Sequence, residues 1–415
     1  MRTESGRPRA EAFRGHQVSV FGSVAPGFEP VREAFARNFA ERGEVGAACA
    51  VYRHGEKVVD LWGGLRDRAS GAPWEEDTVV LVFSTTKGLS ALAMAVAHSR
   101  GLFDLDERVA AYWPEFAQAG KERVTVRQLL AHQAGLCAID EPLTPAMLGD
   151  LDALAAILAR QRPAWEPGTR HGYHALTLGF FEGELLRRVD PQHRSLGRFF
   201  AEEVARPLGL QFHIGLPAGV PASRLATIES FHPLSLLFHL DRESWRMVLA
   251  YLRPGSLTAR AFGNPRVARP SDFAAPAFRG VEIPSVNGFG VVRDIARVYG
   301  AVATGGRDLG ITPATLSELR TPAPAPARGP HDAVLRVPTV YAFGFLKPSP
   351  AFRFGTNDAA FGTMGAGGSF AFADPDSGLG FAYAMNKMGF HIWSDPREQA
   401  LRDVVYRCLD SRRSA

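Results

Sequence analysis

Residues 79–102 read VVLVFSTTKGLSALAMAVAHSRGL, and the junction inside them decides how the rest of the chain is read. An apolar, strand-like run ends at Phe83. Ser84, two threonines, Lys87 and a glycine follow, and then a long apolar helix of small residues. Two readings of Ser84 compete. It caps the helix, because serine accepts hydrogen bonds from the first free N–H groups. Or it is a nucleophile whose proton Lys87, three residues on, removes.

Spacing alone decides little. The chain relies on arginine, and its lysines are Lys57, Lys87, Lys121, Lys347 and Lys387; a serine three residues before one of them arises by chance about one time in four. Position adds weight. Three residues is nearly one helical turn, so both side chains leave the same face. A lysine on an otherwise apolar helix is costly unless it is neutral or paired, and burial lowers its pKa toward that of a usable base.

Working outward, Val31, Phe35 and Phe39 give residues 27–42 one apolar helical face. VGAACAVYR, the turn HGE and KVVDLWGG read as a hairpin, followed by the strand at about 79–83. Helical patterns dominate as far as residue 220, among them VTVRQLLAHQAGL, LDALAAILARQ and LTLGFFEGELLRRV. Residues 225–285 contain a possible helix at 233–252, then a proline- and arginine-rich stretch expected to be a long loop or lid, with Phe231, Phe238, Trp245 and Phe262 as its wall-forming residues. GGSFAFADPDSGLGFAYAMNKM is a second hairpin. A closing helix after Pro396 points Leu401, Val405, Cys408 and Leu409 inward. The expected fold is therefore α/β (α+β): one antiparallel sheet built from both chain ends and flanked by terminal helices, with a mainly helical domain inserted. The expected organisation is an N-terminal extension (1–25), a sheet domain (26–83 and 284–415) and the helical insertion (84–283), whose lid-like part spans about 225–283.

Composition bounds the function. A net charge of +4, 46% hydrophobic and 22% charged residues describe a globular chain. Basic residues are spread evenly, which argues against nucleic acid or a polybasic membrane patch as partner. No run of about 18 apolar residues and no secretory core are present, so the expected location is the cytoplasm. Cys49, Cys137 and Cys408 are odd in number and far apart, and read as buried free thiols. The sequence carries no signal for an oligomeric state.

Two further stretches carry chemistry. In WEPGTRHGYHALTLG (165–179), Tyr173 sits in a small-residue turn before a helix, flanked by His171 and His174. Two histidines without further ligands at suitable spacing are a weak metal signal, so no metal is expected. In FGTMGAGGSFAFADP (361–375), glycines ahead of an apolar strand let a ligand approach the backbone. The plain alternatives are a core tyrosine and a turn that merely starts a hairpin.

Ser84-Thr85-Thr86-Lys87, then Tyr173, then Thr363-Met364-Gly365 resemble, in this order, the three motifs of the serine β-lactamase and penicillin-recognising superfamily. The flanks LLAHQAGL, WEPGTRHGYH, NGFG (287–290) and GGSFAFADPDSGLGFAYAMN most resemble its family VIII carboxylesterases, over roughly residues 28–410. The resemblance implies Ser84 as acylated nucleophile, Lys87 as its general base and Tyr173 as a second proton-transfer group. It implies an oxyanion hole made by the backbone N–H groups of Ser84 and Ala366, and substrate contacts from Thr363, Met364, Gly365 and Gly367, with no cofactor.

Departures from the pattern bear on substrate. Superfamily members that act on β-lactams usually carry Lys or His where Thr363 stands, with Thr and Gly after it, and an Asn where Ala175 stands. Threonine cannot grip a carboxylate as a cation does. Even among the esterases Thr363 is unusual. The G-x-S-x-G signature of other esterases occurs at no serine. The expected activity is a cytoplasmic serine carboxylesterase acting on small, mostly neutral esters. Amide, carbamate or β-lactam hydrolysis at the same site is the alternative, with arginines of the 255–280 stretch as a source of a carboxylate-binding cation. A non-catalytic binding protein on the same scaffold is a third reading.

Overall fold

The computed structural model describes residues 18–231, 244–391 and 393–413 of the 415. Both expected hairpins are present. Strand β2 (Gly46–Arg53) turns through His54 and Gly55, both at positive φ as a tight two-residue hairpin requires, into β3 (Glu56–Asp67). Near the other chain end β11 (Phe370–Asp374) pairs with β12 (Leu379–Met385), and β12 then pairs with β2 from Leu379↔Arg53 to Met385↔Ala47. This last pairing joins the two chain ends into one sheet.

Its spatial order is β1-β3-β2-β12-β11-β10-β9-β8. β1 (Val20–Val24) adds an edge strand to β3, and short β4 (Ala72–Pro73) pairs with β3 as well. β8 (Tyr341–Ala342), β9 (Phe345–Leu346) and β10 (Phe361–Met364) extend the other side. The strand expected at 79–83 is only Val80–Leu81, here β5. It lies in a separate three-stranded sheet with β6 (Phe212–Ile214) and β7 (Gly288–Gly290), because the chain winds into a helical turn directly after Leu81.

Strand alternation sets the layers. Along β2, β11 and β12 large residues and alanines take turns, and successive side chains point to opposite faces. Cys49, Val51, Phe370, Phe372, Phe381 and Tyr383 share one cluster with Val31 and Phe35 of helix α1 (Glu29–Glu41) and Leu401, Val405, Cys408 and Leu409 near the C-terminus. The other face is alanine: Ala50, Ala371, Ala373, Ala382 and Ala384 belong to the second, larger cluster. Between these small residues a helix packs almost against bare backbone; a Cβ on Gly380 would come within 2.1 Å of the Gly300 nitrogen. None of the three cysteines is in a disulfide, and all three are buried.

The segment between the hairpins is mainly helical. Helix α2 (Thr86–Ser99) is buried from Thr86 to Ala97, and apart from Thr86, Lys87 and Ser90 that stretch is apolar or glycine, as suits a central helix. α4 (Thr177–Val189) packs against it, and α3 (Leu151–Arg160) packs against α4. The second part of the helix expected at 233–252 is α5 (Ser244–Leu252), and the stretch after it, expected to be a long loop, is built instead from helical turns: α6 (Leu257–Phe262) and the short turns Pro270–Ala274 and Pro276–Arg279. Pro270 and Pro276 each open a turn, where a proline's missing N–H costs nothing. The first part of the helix expected at 233–252, with Phe238, lies outside the described residues. Helix α7 (Val292–Ala303) covers the alanine face of the sheet, and α8 (Pro396–Arg413) packs beside α1. No helix of the described residues is long and apolar enough to cross a membrane.

Candidate active site

Ser84 stands in a tight turn, Phe83–Thr85, at the head of α2. Phe83 is fully buried yet held at a φ of 49°, a conformation that costs a non-glycine residue about 1–3 kcal/mol. Neighbouring hydroxyls hold the turn. Ser369 Oγ donates to the Val82 carbonyl at 2.8 Å and Thr86 Oγ1 to the Phe83 carbonyl at 2.5 Å, while the Gly288 N–H donates to Thr86 Oγ1 at 2.8 Å. The strand-to-helix corner thus lifts Ser84 into the floor of a cavity of about 230 Å³.

Lys87, 1% exposed, places Nζ 3.3 Å from Ser84 Oγ, 2.5 Å from the Ala175 carbonyl and 2.9 Å from the Ser285 carbonyl. A neutral amine has two N–H donors and one lone pair. Two carbonyls use the donors, and the lone pair is left facing the serine hydroxyl. Burial pushes the ammonium down to about 7, with the Glu182 carboxyl pulling the other way. The neutral base is therefore populated near neutral pH.

Tyr173 closes the triangle. Its ring centroid lies 4.8 Å from Lys87 Nζ, and its hydroxyl shares a hydrogen bond with Ser84. Burial pushes the phenol well up, the serine contact opposing it, so the hydroxyl keeps its proton. Asp332 anchors the backbone here by accepting the Tyr173 N–H at 3.1 Å, along with the N–H groups of Val334 and Leu335 and the Tyr341 hydroxyl.

The two sequence-flagged histidines do not come together. His171 bonds the Pro330 carbonyl and Thr339, whereas His174 meets His132. The Leu136 N–H donates to His174 Nε2, so neutral His174 carries its proton on Nδ1 and donates it to His132 Nδ1 at 2.9 Å. Burial holds His174 down at about 3 and His132 well below its usual value. Among the described residues no group of three His, Cys, Asp or Glu is arranged to hold a metal ion.

The third motif lines the same cavity. Thr363, Met364, Gly365, Ala366 and Gly367 all face it. Thr363 Oγ1 donates to the Thr85 carbonyl at 3.1 Å and lies 3.3 Å from the Tyr299 hydroxyl, so it ties β10 to the serine turn. Both contacts require Gly88, where a Cβ would fall 1.8 Å from the Tyr299 oxygen. Gly365 is equally constrained, its Cβ position lying 2.1 Å from Ser369 Oγ and 2.3 Å from the Val82 carbonyl.

The remaining wall is apolar and comes from scattered places: Phe231, Met247, Phe262, Leu346, Phe352 and Trp393. Of the expected wall residues, Phe231 and Phe262 are here; Trp245 is elsewhere and 41% exposed. Sequence reasoning missed His132, Tyr341, Phe352 and Trp393. Only His132 had a local signal, its place in LLAHQAGL. Among the described residues lining the cavity, Lys87 is the one lysine or arginine. Arg260 and Arg269, from the stretch expected to supply a cation, pair with Asp140 and Asp272 instead.

This geometry agrees with what the chain resembles. The Beta-lactamase family model matches residues 31–401. The chain belongs to the Beta-lactamase family. Among its relatives is the esterase/beta-lactamase LipL of Mycobacterium tuberculosis, 35% identical over 375 residues, which are 89% of this chain and 83% of LipL. A crystal structure of a family VIII carboxylesterase superimposes with a TM-score of 0.82 at 40% identity, covering 94% of this chain and 100% of that one. A penicillin-binding protein homolog from Caulobacter crescentus, 37% identical, gives 0.79 over 94% and 100%.

Proposed function

We propose that this enzyme hydrolyses small, uncharged carboxylic esters through an acyl-enzyme on Ser84. Lys87 Nζ takes the Ser84 proton as Oγ attacks the ester carbonyl. Negative charge gathers on the carbonyl oxygen, next to the N–H of Ser84, which lies in the first turn where such groups lack intrahelical partners, and the N–H of Ala366 across the cavity. Each preorganised donor of this kind is worth about 3–4 kcal/mol at the transition state. As the C–O bond breaks, the Tyr173 hydroxyl protonates the leaving alkoxide and is reprotonated from the Lys87 ammonium. Water then attacks the acyl group, Tyr173 and Lys87 carry its proton, and Ser84 Oγ regains one as the acid leaves.

The observation that carries this reading is the Ser84 Oγ–Lys87 Nζ approach at the floor of an apolar cavity. That cavity's lining holds no other lysine or arginine among the described residues. An acyl chain is desolvated there at about 25 cal/mol per Å² of apolar surface, while a substrate carboxylate finds, among the described lining residues, no guanidinium and no ammonium besides that of Lys87 to pair with. Esterase names among well-covered relatives support the ester bond. The test is hydrolysis of p-nitrophenyl butyrate by the parent and by Ser84→Ala, with nitrocefin alongside. We expect ester turnover in the parent alone and nitrocefin turnover at least about a hundredfold slower. Comparable nitrocefin turnover would move the assignment to β-lactams, and equal ester activity in Ser84→Ala would remove Ser84 from the chemistry.

A further inference from the structure

Glu182 has no role in the steps above, yet it is fully buried on α4, and neither carboxyl oxygen has a hydrogen-bond partner among the described residues. A buried carboxyl left without partners costs the fold about 1–3 kcal/mol or more. Its place is informative. Gly344 lines the cavity, and a Cβ there would lie 3.0 Å from Glu182 Oε1 and 3.1 Å from Ala91 Cβ. Ala91 is one turn past Lys87 on α2, which puts the carboxyl on the inner side of the cavity wall, behind the lysine.

Resting on the reading of Lys87 as general base, we infer that Glu182 is a positioning residue of this reaction. Its carboxyl is the counter-charge for the ammonium that Lys87 becomes when it takes the Ser84 proton. No proton passes to Glu182 in this scheme; the Oγ–H bond breaks, the Nζ–H bond forms, and the carboxyl acts through its field. Two carbonyls can accept from an ammonium but carry no charge. In a dry site an unopposed ammonium is costly, and a lysine buried without an anion would be too weak a base.

The surrounding charges leave this pairing to the two groups. Lys87 is the charge that acts on Glu182, and Glu182 the one that raises Lys87. Burial pushes the Glu182 carboxyl up while the Lys87 ammonium pulls it back, so the carboxylate is favoured when the ammonium forms and the two titrate as a unit. On neighbouring elements, Arg127 is engaged by Asp106 and Glu318, and on α4 itself Glu184 is engaged by Arg187 and Arg188. His132 and His174 feel Lys87 but are held neutral, and Tyr173 keeps its proton.

The experiment is the pH dependence of Ser84 phosphonylation by a fluorophosphonate, which needs no substrate turnover. It compares the parent, Glu182→Gln and Glu182→Leu, with peptide mapping of the labelled serine and a melting curve for each protein. In the parent the rate should climb with pH around a midpoint near 7, where Lys87 loses its proton. Without the counter-charge the ammonium is less favoured. The midpoint should then fall by about half a unit or more in both variants, and the plateau rate by severalfold, because the base is weaker. A merely structural glutamate would alter melting or the labelled fraction and leave the midpoint in place. An unmoved midpoint in either folded variant overturns the inference while Ser84 labelling keeps the nucleophile. A parent unlabelled at Ser84 overturns both.

Discussion

Lys87 and Lys121 are equally withdrawn from water, at 1% and 0% exposure, and both spend N–H groups on backbone carbonyls. Lys121 Nζ donates to the carbonyls of Gln118, Ala159 and Gln161 at 2.8–2.9 Å. Three carbonyls take all three donors of an ammonium, and two of them lie at the C-terminal end of α3, where orphan carbonyls and the helix dipole favour a cation. Burial brings that ammonium down to about 8. Lys87 has two carbonyls, and its third neighbour is a hydroxyl. On the proposed reading, that single replacement separates a structural lysine from a base. Burial loosens the proton in both; only at position 87 does the freed lone pair face something that can be deprotonated.

The comparison can be broken in several ways. The largest effect belongs to the hydroxyl: Ser84→Ala should lower ester kcat/KM by roughly 10⁴-fold or more with an unchanged melting temperature, read by steady-state kinetics and thermal melts. Next come the two lysines, whose methionine variants should cross over. Lys87→Met should lose about 10³-fold in kcat, whereas Lys121→Met should keep activity within about threefold and lose about 2–4 kcal/mol of stability in urea titration, since three carbonyls lose a charged donor. A folded but inactive Lys121→Met would erase the distinction.

Tyr173→Phe keeps the ring against His132 and Phe262, 5.3 and 6.3 Å away between centroids, and should cost roughly 10²-fold in kcat with little change in melting. The smallest effect is in stability against pH. Lys87 titrates near 7 folded against 10.5 unfolded. The unfolded chain therefore holds more protons in that window, and stability should rise as pH climbs through it and be lost again as pH falls toward 7. The melting temperature of the parent should gain more between pH 7 and 9 than that of Lys87→Met. Parallel curves would mean Lys87 is not depressed.

Local signals made both hairpins and the terminal helices legible. HGE and DPDSG are turns with their own chemistry, and alternation of large residues with alanine assigns the two sheet faces without reference to anything distant. The proposed nucleophile and base could be picked out because they are one helical turn apart, and Tyr173 and the third motif because they stand in a recognisable order. What stayed hidden depends on distant pairing. β1 joins β3 across some forty residues, and the short β5 was drawn into a second sheet by β7, more than two hundred residues on. Phe352 and Trp393 reach the cavity from opposite sides of the second hairpin. Glu182 was invisible for a sharper reason: in LTLGFFEGELLRRV it resembles its neighbour Glu184, and nothing local says that Glu184 pairs with arginines while Glu182 is buried with no hydrogen-bond partner among the described residues.

The measurement that bears most directly on Ser84 as a lysine-activated nucleophile is mass spectrometry of the parent quenched in acid during turnover of p-nitrophenyl butyrate. The account predicts a butyryl group on the peptide that contains Ser84, diminished in Lys87→Met and absent from Ser84→Ala. A butyryl group on any other residue, or one on Ser84 at undiminished yield in Lys87→Met, would contradict it.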